Sequence, residues 1–273
     1  MLIFFIVCTA AKSPLYAQDS IACKEQLVSD LFNKLMNESS DEMKLKHNSQ
    51  ICHLMRQLLQ HRSSFDYPFE LLHYMGKKRS PDGSFRLYNW NTVMADGSYR
   101  YFAFIQRKER ITDSICQVNE LVDAQGEEGA STDKSVGASQ WMGALYYQIV
   151  PFKSGRNDYY LLLGWDGHNA LSNRKVIEIL HFSSRGKPLL GAPLILWRGR
   201  SLHRVVFEYA KMARMTLRWE PSQQRVVFDH LSPSESRYKG QLEYYGPDLS
   251  FDALIKKGGM WRLAEDVDLR NKN

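Results

Sequence analysis

Between two apolar stretches the chain carries Asp166-Gly167-His168-Asn169-Ala170-Leu171-Ser172-Asn173-Arg174. That segment brings a carboxylate, an imidazole, two amides, a hydroxyl and a guanidinium within one short loop. Loops held by rigid strands are where sites concentrate. Asp166 and His168 offer a base and its orienting partner, and Asp166, His168, Asn169 and Arg174 together offer donors and acceptors for the hydroxyls of a sugar. The same Asp-Gly pair is also ordinary turn chemistry, with the rest of the loop solvated. A second candidate is Tyr244-Tyr245-Gly246-Pro247-Asp248. There Tyr245 would form an aromatic shelf, and Asp248, with Asp252 beyond it, would accept from hydroxyl groups. A calcium loop needs more oxygen ligands at tighter spacing, so no metal is expected.

Glu178 and Glu208 lie inside apolar stretches and are candidates for the carboxylate pair of a glycoside hydrolase. They equally suit the outward positions of half-buried strands. Asp229 and His230 are adjacent, and neighbours on a strand point to opposite faces, so they serve one site only if a bulge intervenes. No G-x-S-x-G, H-E-x-x-H, P-loop or G-x-G-x-x-G pattern occurs, and no C-x-x-C spacing. These absences lower the expectation of a serine hydrolase, a zinc protease, a nucleotide enzyme or a thioredoxin-type redox protein. No cofactor is expected.

The elements that must position these residues begin with a leader. Leu2-Ile3-Phe4-Phe5-Ile6-Val7 is apolar but too short for a bilayer, and it fades into small residues at Leu15-Tyr16-Ala17. This predicts a signal peptide over residues 1–17, cleaved after Ala17, although no Lys or Arg precedes the apolar run. Cys8 has bulky Ile6 and Val7 before it, which argues against lipidation. No later stretch approaches the ~18 apolar residues of a membrane helix. A periplasmic or extracellular location follows, and with it the possibility of a disulfide between Cys23 and Cys52, which flank a predicted helical hairpin.

The 36 basic and 30 acidic residues give +6, and losing Lys12 with the leader leaves about +5. That surplus is mild. It favours anionic polysaccharide over nucleic acid, because the charge is not clustered into a footprint.

Residues 18–63 read as helical. Leu27, Leu31, Phe32 and Leu35 form one stripe and Ile51, Leu54, Met55, Leu58 and Leu59 a second, separated by the polar Asn37–Asp41 break. His53, Gln57 and His61 line one face of the second helix and read as a solvated stripe. From about residue 64 to 273 the period shortens to two. Phe85–Trp90 and Tyr99–Ile105 flank Asp96-Gly97, a hairpin signature. Residues 124–139 are nearly devoid of apolar side chains and read as a mobile loop.

Further strands are predicted at Leu145–Phe152, Tyr159–Trp165, Val176–Phe182, Leu189–Trp197, Arg204–Tyr209, Met215–Trp219 and Val226–Leu231, with a closing hairpin around Gly258-Gly259. Trp90, Trp165 and Trp219 each precede a polar turn residue, as if each ring plugged the end of a sheet. Their unequal spacing excludes a strict repeat. The aromatic share of 12% agrees with β structure.

Tyr160-Leu161-Leu162-Leu163-Gly164-Trp165-Asp166-Gly167, Arg204-Val205-Val206-Phe207-Glu208-Tyr209, Arg225-Val226-Val227-Phe228-Asp229-His230-Leu231 and Tyr245-Gly246-Pro247-Asp248 resemble segments of uncharacterised exported proteins of the Bacteroidetes type. The resemblance spans roughly residues 65–270 and implies an envelope location without any assigned activity. The sequence therefore predicts a mainly β protein, an antiparallel meander forming a barrel, a sandwich or an irregular partial propeller, behind an N-terminal helical hairpin. The function expected is non-catalytic binding of envelope polysaccharide or an envelope protein. The alternative is a glycan-directed hydrolase using carboxylates near residues 166–178.

Overall fold

The structure is a computed structural model and describes residues 14–108, 115–124 and 133–269, with side chains from Ile21 onward. The leader residues 1–13, Cys8 among them, and residues 125–132 of the expected mobile loop lie outside the described residues.

Helices α1 (Pro14–Met36) and α2 (Asp41–Gln60) form the N-terminal hairpin. Each buries one stripe: Ile21, Val28, Phe32 and Leu35 from α1, and Ile51, Met55, Leu58 and Leu59 from α2. Ser40 caps α2 by accepting the Met43 N–H at 3.4 Å, with Asp41 and Glu42 following at the positive end of the helix dipole. Among the described residues no helix is long and apolar enough to cross a membrane.

The helices lie on a four-stranded antiparallel meander of β1 (Gly76–Arg79), β2 (Phe85–Val93), β3 (Tyr99–Lys108) and β4 (Cys116–Val122). Two-residue alternation divides its side chains. Tyr88, Trp90 and Phe104 face the helices, while Phe85, Leu87, Tyr101, Ala103 and Ile105 face the opposite way.

On that second face packs a central sheet of β5 (Val136–Gly137), β6 (Leu145–Ser154), β7 (Asn157–Asp166), β8 (Ser172–Phe182) and β9 (Pro188–Leu190), with β12 (Arg204–Ala210) also paired to β8. Tyr160, Leu162, Val176 and Leu180 meet the first sheet, and Leu161, Leu163, Ile177, Ile179 and Val205 point the other way. They meet a third sheet made of β10 (Ile195–Trp197), β11 (Arg200–Leu202), β13 (Leu217–Glu220), β14 (Arg225–Pro233), β15 (Tyr245–Lys257) and β16 (Met260–Ala264). That sheet supplies Val226, Phe228, Leu254 and Trp261 to the second core. Its pairings are antiparallel except β10 with β16. The fold is thus a helical layer on three stacked sheets, mainly antiparallel, and among the described residues no barrel closes.

The layers account for several departures from the sequence reading. The single strand expected over Leu189–Trp197 divides: β9 pairs with β8 in the central sheet and β10 with β16 in the third. Gly191, at φ +93°, and Pro193, which has no N–H to give a ladder, carry the chain between layers. Trp90 does not end its strand, since β2 continues to Val93 and the ring is buried against the helices. Within the span expected to be loop, Val136 is buried and pairs with Leu190.

The expected Cys23–Cys52 disulfide is absent, and Cys23, Cys52 and Cys116 are free thiols. The spacing of the α1 stripe explains why. Cys23 falls two residues from both Ile21 and Glu25, on the opposite side of the helix, and is exposed, whereas Cys52 belongs to the buried stripe of α2. Burial pushes the Cys52 thiol up to about 12, with Glu120 adding to the effect.

Candidate functional site

Three neighbouring strands of the central sheet set out the first candidate cluster. Arg174 on β8 stands opposite Asp166 on β7 and Glu208 on β12, so the row carboxylate–guanidinium–carboxylate lies on one face. Arg174 donates to Glu208 Oε2 from Nε at 2.9 Å, and its terminal nitrogen lies 2.8 Å from the same oxygen. Ser172 Oγ donates to Glu208 Oε1 at 2.7 Å. Burial alone would raise the Glu208 carboxyl, but the Ser172 and Arg174 hydrogen bonds outweigh it and hold the group below its ordinary value.

Asp166 is 6% exposed and is engaged by the first sheet. Its Oδ1 accepts the Tyr101 hydroxyl at 2.9 Å and the His168 N–H at 2.7 Å, and the Tyr101 oxygen accepts the Gly167 N–H at 2.7 Å. Desolvation, and then the Asp166 charge, drive the Tyr101 phenol far above its usual range. Gly167 sits against Tyr99: a Cβ there would come within 2.3 Å of the ring.

His168 occupies the left-handed region at φ 50°, with Nε2 3.6 Å from Glu208 Oε1. Asn169 turns inward, its Oδ1 accepting the N–H groups of Leu171 at 2.8 Å and Ser172 at 2.9 Å. Lys211, just past β12, closes the loop from above. Its Nζ donates to the Gly167 and Asn169 carbonyls, each at 2.9 Å, and rests over the Tyr99 ring.

The second candidate lies in another layer. Tyr245 begins β15 in the third sheet, where its hydroxyl accepts the Gly240 N–H at 3.0 Å. Asp248 is exposed; its Oδ1 accepts from Ser250 N and Oγ, and those bonds hold its carboxyl below the usual carboxylate range. Beside them Tyr238 and Tyr244 stack at 4.2 Å, with Tyr244 42% exposed. The two candidates are joined by the Lys211–Ala213 turn. Lys211 clamps the 166–172 loop, and a Cβ built on Gly246 would lie 3.6 Å from that of Ala213. Leu171, Met212 and Leu249 protrude along this edge, the last two 94% and 91% exposed.

Other sequence candidates are placed elsewhere. Glu178 is wholly buried between the first and central sheets, where it meets Arg204 Nε at 3.1 and 3.0 Å. Burial pushes its carboxyl up against the pull of Arg204. Glu178 and Glu208 share a face but stand opposite Arg204 and Arg174 respectively, four residues apart along the ladder. That is roughly 13 Å of strand at ~3.3 Å per residue, beyond the ~5–9.5 Å of paired glycosidase carboxylates. A bulge does occur at His230, between Asp229 and Leu231. It leaves Asp229 bonded to the Thr216 N–H at 2.6 Å and turns the His230 ring to Asp252 at 2.8 Å instead. One surface concavity is lined by Asp30, Asn33 and Lys34 on α1 and Asn37 just past it, none of them a candidate.

Tyr101 and Lys211 were not foreseen from sequence. Tyr101 lies 65 residues from Asp166 and reaches it only because two sheets stack. Comparison with protein-family models, with curated proteins and with solved structures found no match.

Proposed function

We propose that the protein is an exported, non-catalytic binding module whose edge of Tyr244, Tyr245, Asp248 and the 166–174 loop engages envelope polysaccharide. The observation carrying this reading is the way carboxylates are disposed. Asp166, Glu208 and Glu178 are each committed to donors reaching in from other strands, whereas Asp248 is exposed, bonded locally to Ser250, and lies four residues along the chain from the exposed ring of Tyr244. Carboxylates held by internal donors make a rigid frame, and Glu178 and Glu208 stand too far apart along the ladder to act as a pair. An exposed aromatic face and a carboxylate along one edge suit the apolar faces and hydroxyls of a sugar chain. The mild positive charge agrees with an anionic polymer as the wider partner.

Export enters this reading through the short apolar leader and the resemblance to exported envelope proteins. Cleavage after Ala17 would leave the buried Ile21, Val28, Phe32 and Leu35 of α1 in the mature chain. The test is retention of the purified chain starting at Gln18 on a panel of immobilised polysaccharides, with N-terminal sequencing of the protein recovered from its host. Retention on at least one glycan and a start at Gln18 support the proposal. Retention on none, with an intact leader, refutes it.

A further inference from the structure

We infer that His168 makes the 166–172 loop a pH-operated latch on this edge, closed while the imidazole is neutral and released when it takes a proton. As regulation of the binding edge the inference rests on the reading above, but the latch itself belongs to the free protein.

The geometry sets the balance of charge around the ring. Four ionic groups face it: Asp166 at the end of β7, Arg174 on β8, Glu208 on β12 and Lys211 beyond β12. Two are anions and two are cations, so the half-buried cluster is neutral only while His168 is neutral. Tyr99 and Tyr101 from β3 complete the surroundings.

Both anions already hold donors. Glu208 already accepts from Ser172 on one oxygen and from Arg174 on the other. Asp166 Oδ1 already accepts from Tyr101 and from the backbone of His168 itself. An imidazolium would face Glu208 Oε1 at 3.6 Å, but it would also stand against the Arg174 guanidinium and against the Lys211 ammonium, which is pinned to the carbonyls on either side of His168.

The backbone is poised as well. His168 sits at φ 50°, a conformation costly for residues other than glycine and kept only while its surroundings enforce it. The Lys211 clamp and the Asp166 acceptor supply that enforcement. Weakening either lets residue 168 relax and swings the exposed Leu171 with it.

The direction of the titration agrees. Burial first, and then Arg174, lower His168 from its ordinary 6.5. A histidine that the closed loop prefers neutral stabilises closure fully above about 6.5, and that stabilisation is lost as pH falls below it. His181 and His203 are also lowered by burial, so the readout must be local.

Amide hydrogen exchange on the full chain at about pH 7.5 and about pH 5, corrected for intrinsic rates, supplies that readout. Protection of residues 166–172 is expected to fall several-fold on acidification, while that of 176–180 holds. In His168→Asn, whose side chain tolerates the left-handed backbone, the fall should vanish. Lys211→Met should raise the titration midpoint of His168, followed by its ring proton resonances, toward the ordinary value. An unchanged fall in His168→Asn, or an unmoved midpoint in Lys211→Met, overturns the latch. Polysaccharide retention at the two pH values separates the two ideas. Retention with a loop insensitive to pH overturns the latch and leaves the binding reading standing; loop opening without retention at either pH sinks the binding reading and supports the latch.

Discussion

Replacing Arg204 with Met removes the cation from an ion pair that is 0% exposed on both partners, between the first two sheets. Met follows the arginine stem only as far as Nε, so the change removes the guanidinium and its charge and leaves a small void where it stood. Arg204→Met strips two hydrogen bonds from Glu178, at 3.1 and 3.0 Å, and one from the Leu190 carbonyl at 3.1 Å. An orphaned buried charge costs ~3–5 kcal/mol, with about 1 kcal/mol more for the stranded carbonyl. Glu178 is already a carboxyl that the fold prefers protonated. The destabilisation should therefore shrink on acidification and grow as pH rises through the ordinary carboxylate range, by at most ~1.4 kcal/mol per pH unit. Urea unfolding followed by tryptophan fluorescence at several pH values measures this, since Trp141 and Trp90 report on the two faces of the first sheet. Adding Glu178→Leu should recover most of the loss. A single variant losing under about 1 kcal/mol, or a double variant as unstable as the single, would refute the argument that pairing alone makes this burial tolerable.

Further outcomes follow from the same contacts. Tyr101→Phe removes the hydroxyl that joins Asp166 to the Gly167 N–H and should cost about 1–3 kcal/mol in thermal or urea unfolding, with faster exchange confined to residues 166–170. For a chain starting at Gln18, a thiol reagent at neutral pH should label Cys23 alone in the native state, and Cys52 and Cys116 only in denaturant, because both are buried with thiols held above their ordinary values. Intact mass should show no loss of two hydrogens.

Elements whose information is local could be read from sequence. The stripe of α2 and the Asp96-Gly97 turn needed only neighbours, and Gly97 does adopt φ +79°, whereas on α1 Phe32 and Leu35 are buried as expected but Leu27 is 49% exposed and Val28 packs in its place. The Leu189–Trp197 run misled because an apolar stretch has the same composition whether it stays in one sheet or crosses to another. Only the Gly191 and Pro193 signals marked the crossing. Cys23 and Cys52 lie near the same level of the hairpin, but which way each faces depends on helical phase, which puts one outside and one inside.

The candidate site shows the same division. The location of the 166–174 loop was legible from its polar chemistry between apolar strands. Its engagement with Tyr101, Glu208 and Lys211 was not, because those partners are set by strand order and sheet stacking. Asp248 and Tyr245 belong to a different layer, and nothing in their spacing announced that Ala213 would bring them toward the loop.

Calorimetric titration with a retained polysaccharide tests the binding edge most directly, comparing the native chain with Tyr244→Ala and Asp248→Asn. Both residues are exposed, so neither change should disturb the core. Loss of a ring contact worth ~1.4 kcal/mol corresponds to about tenfold weaker binding for Tyr244→Ala. A similar or smaller loss is expected for Asp248→Asn. Undiminished affinity in both variants would contradict the assignment of this edge.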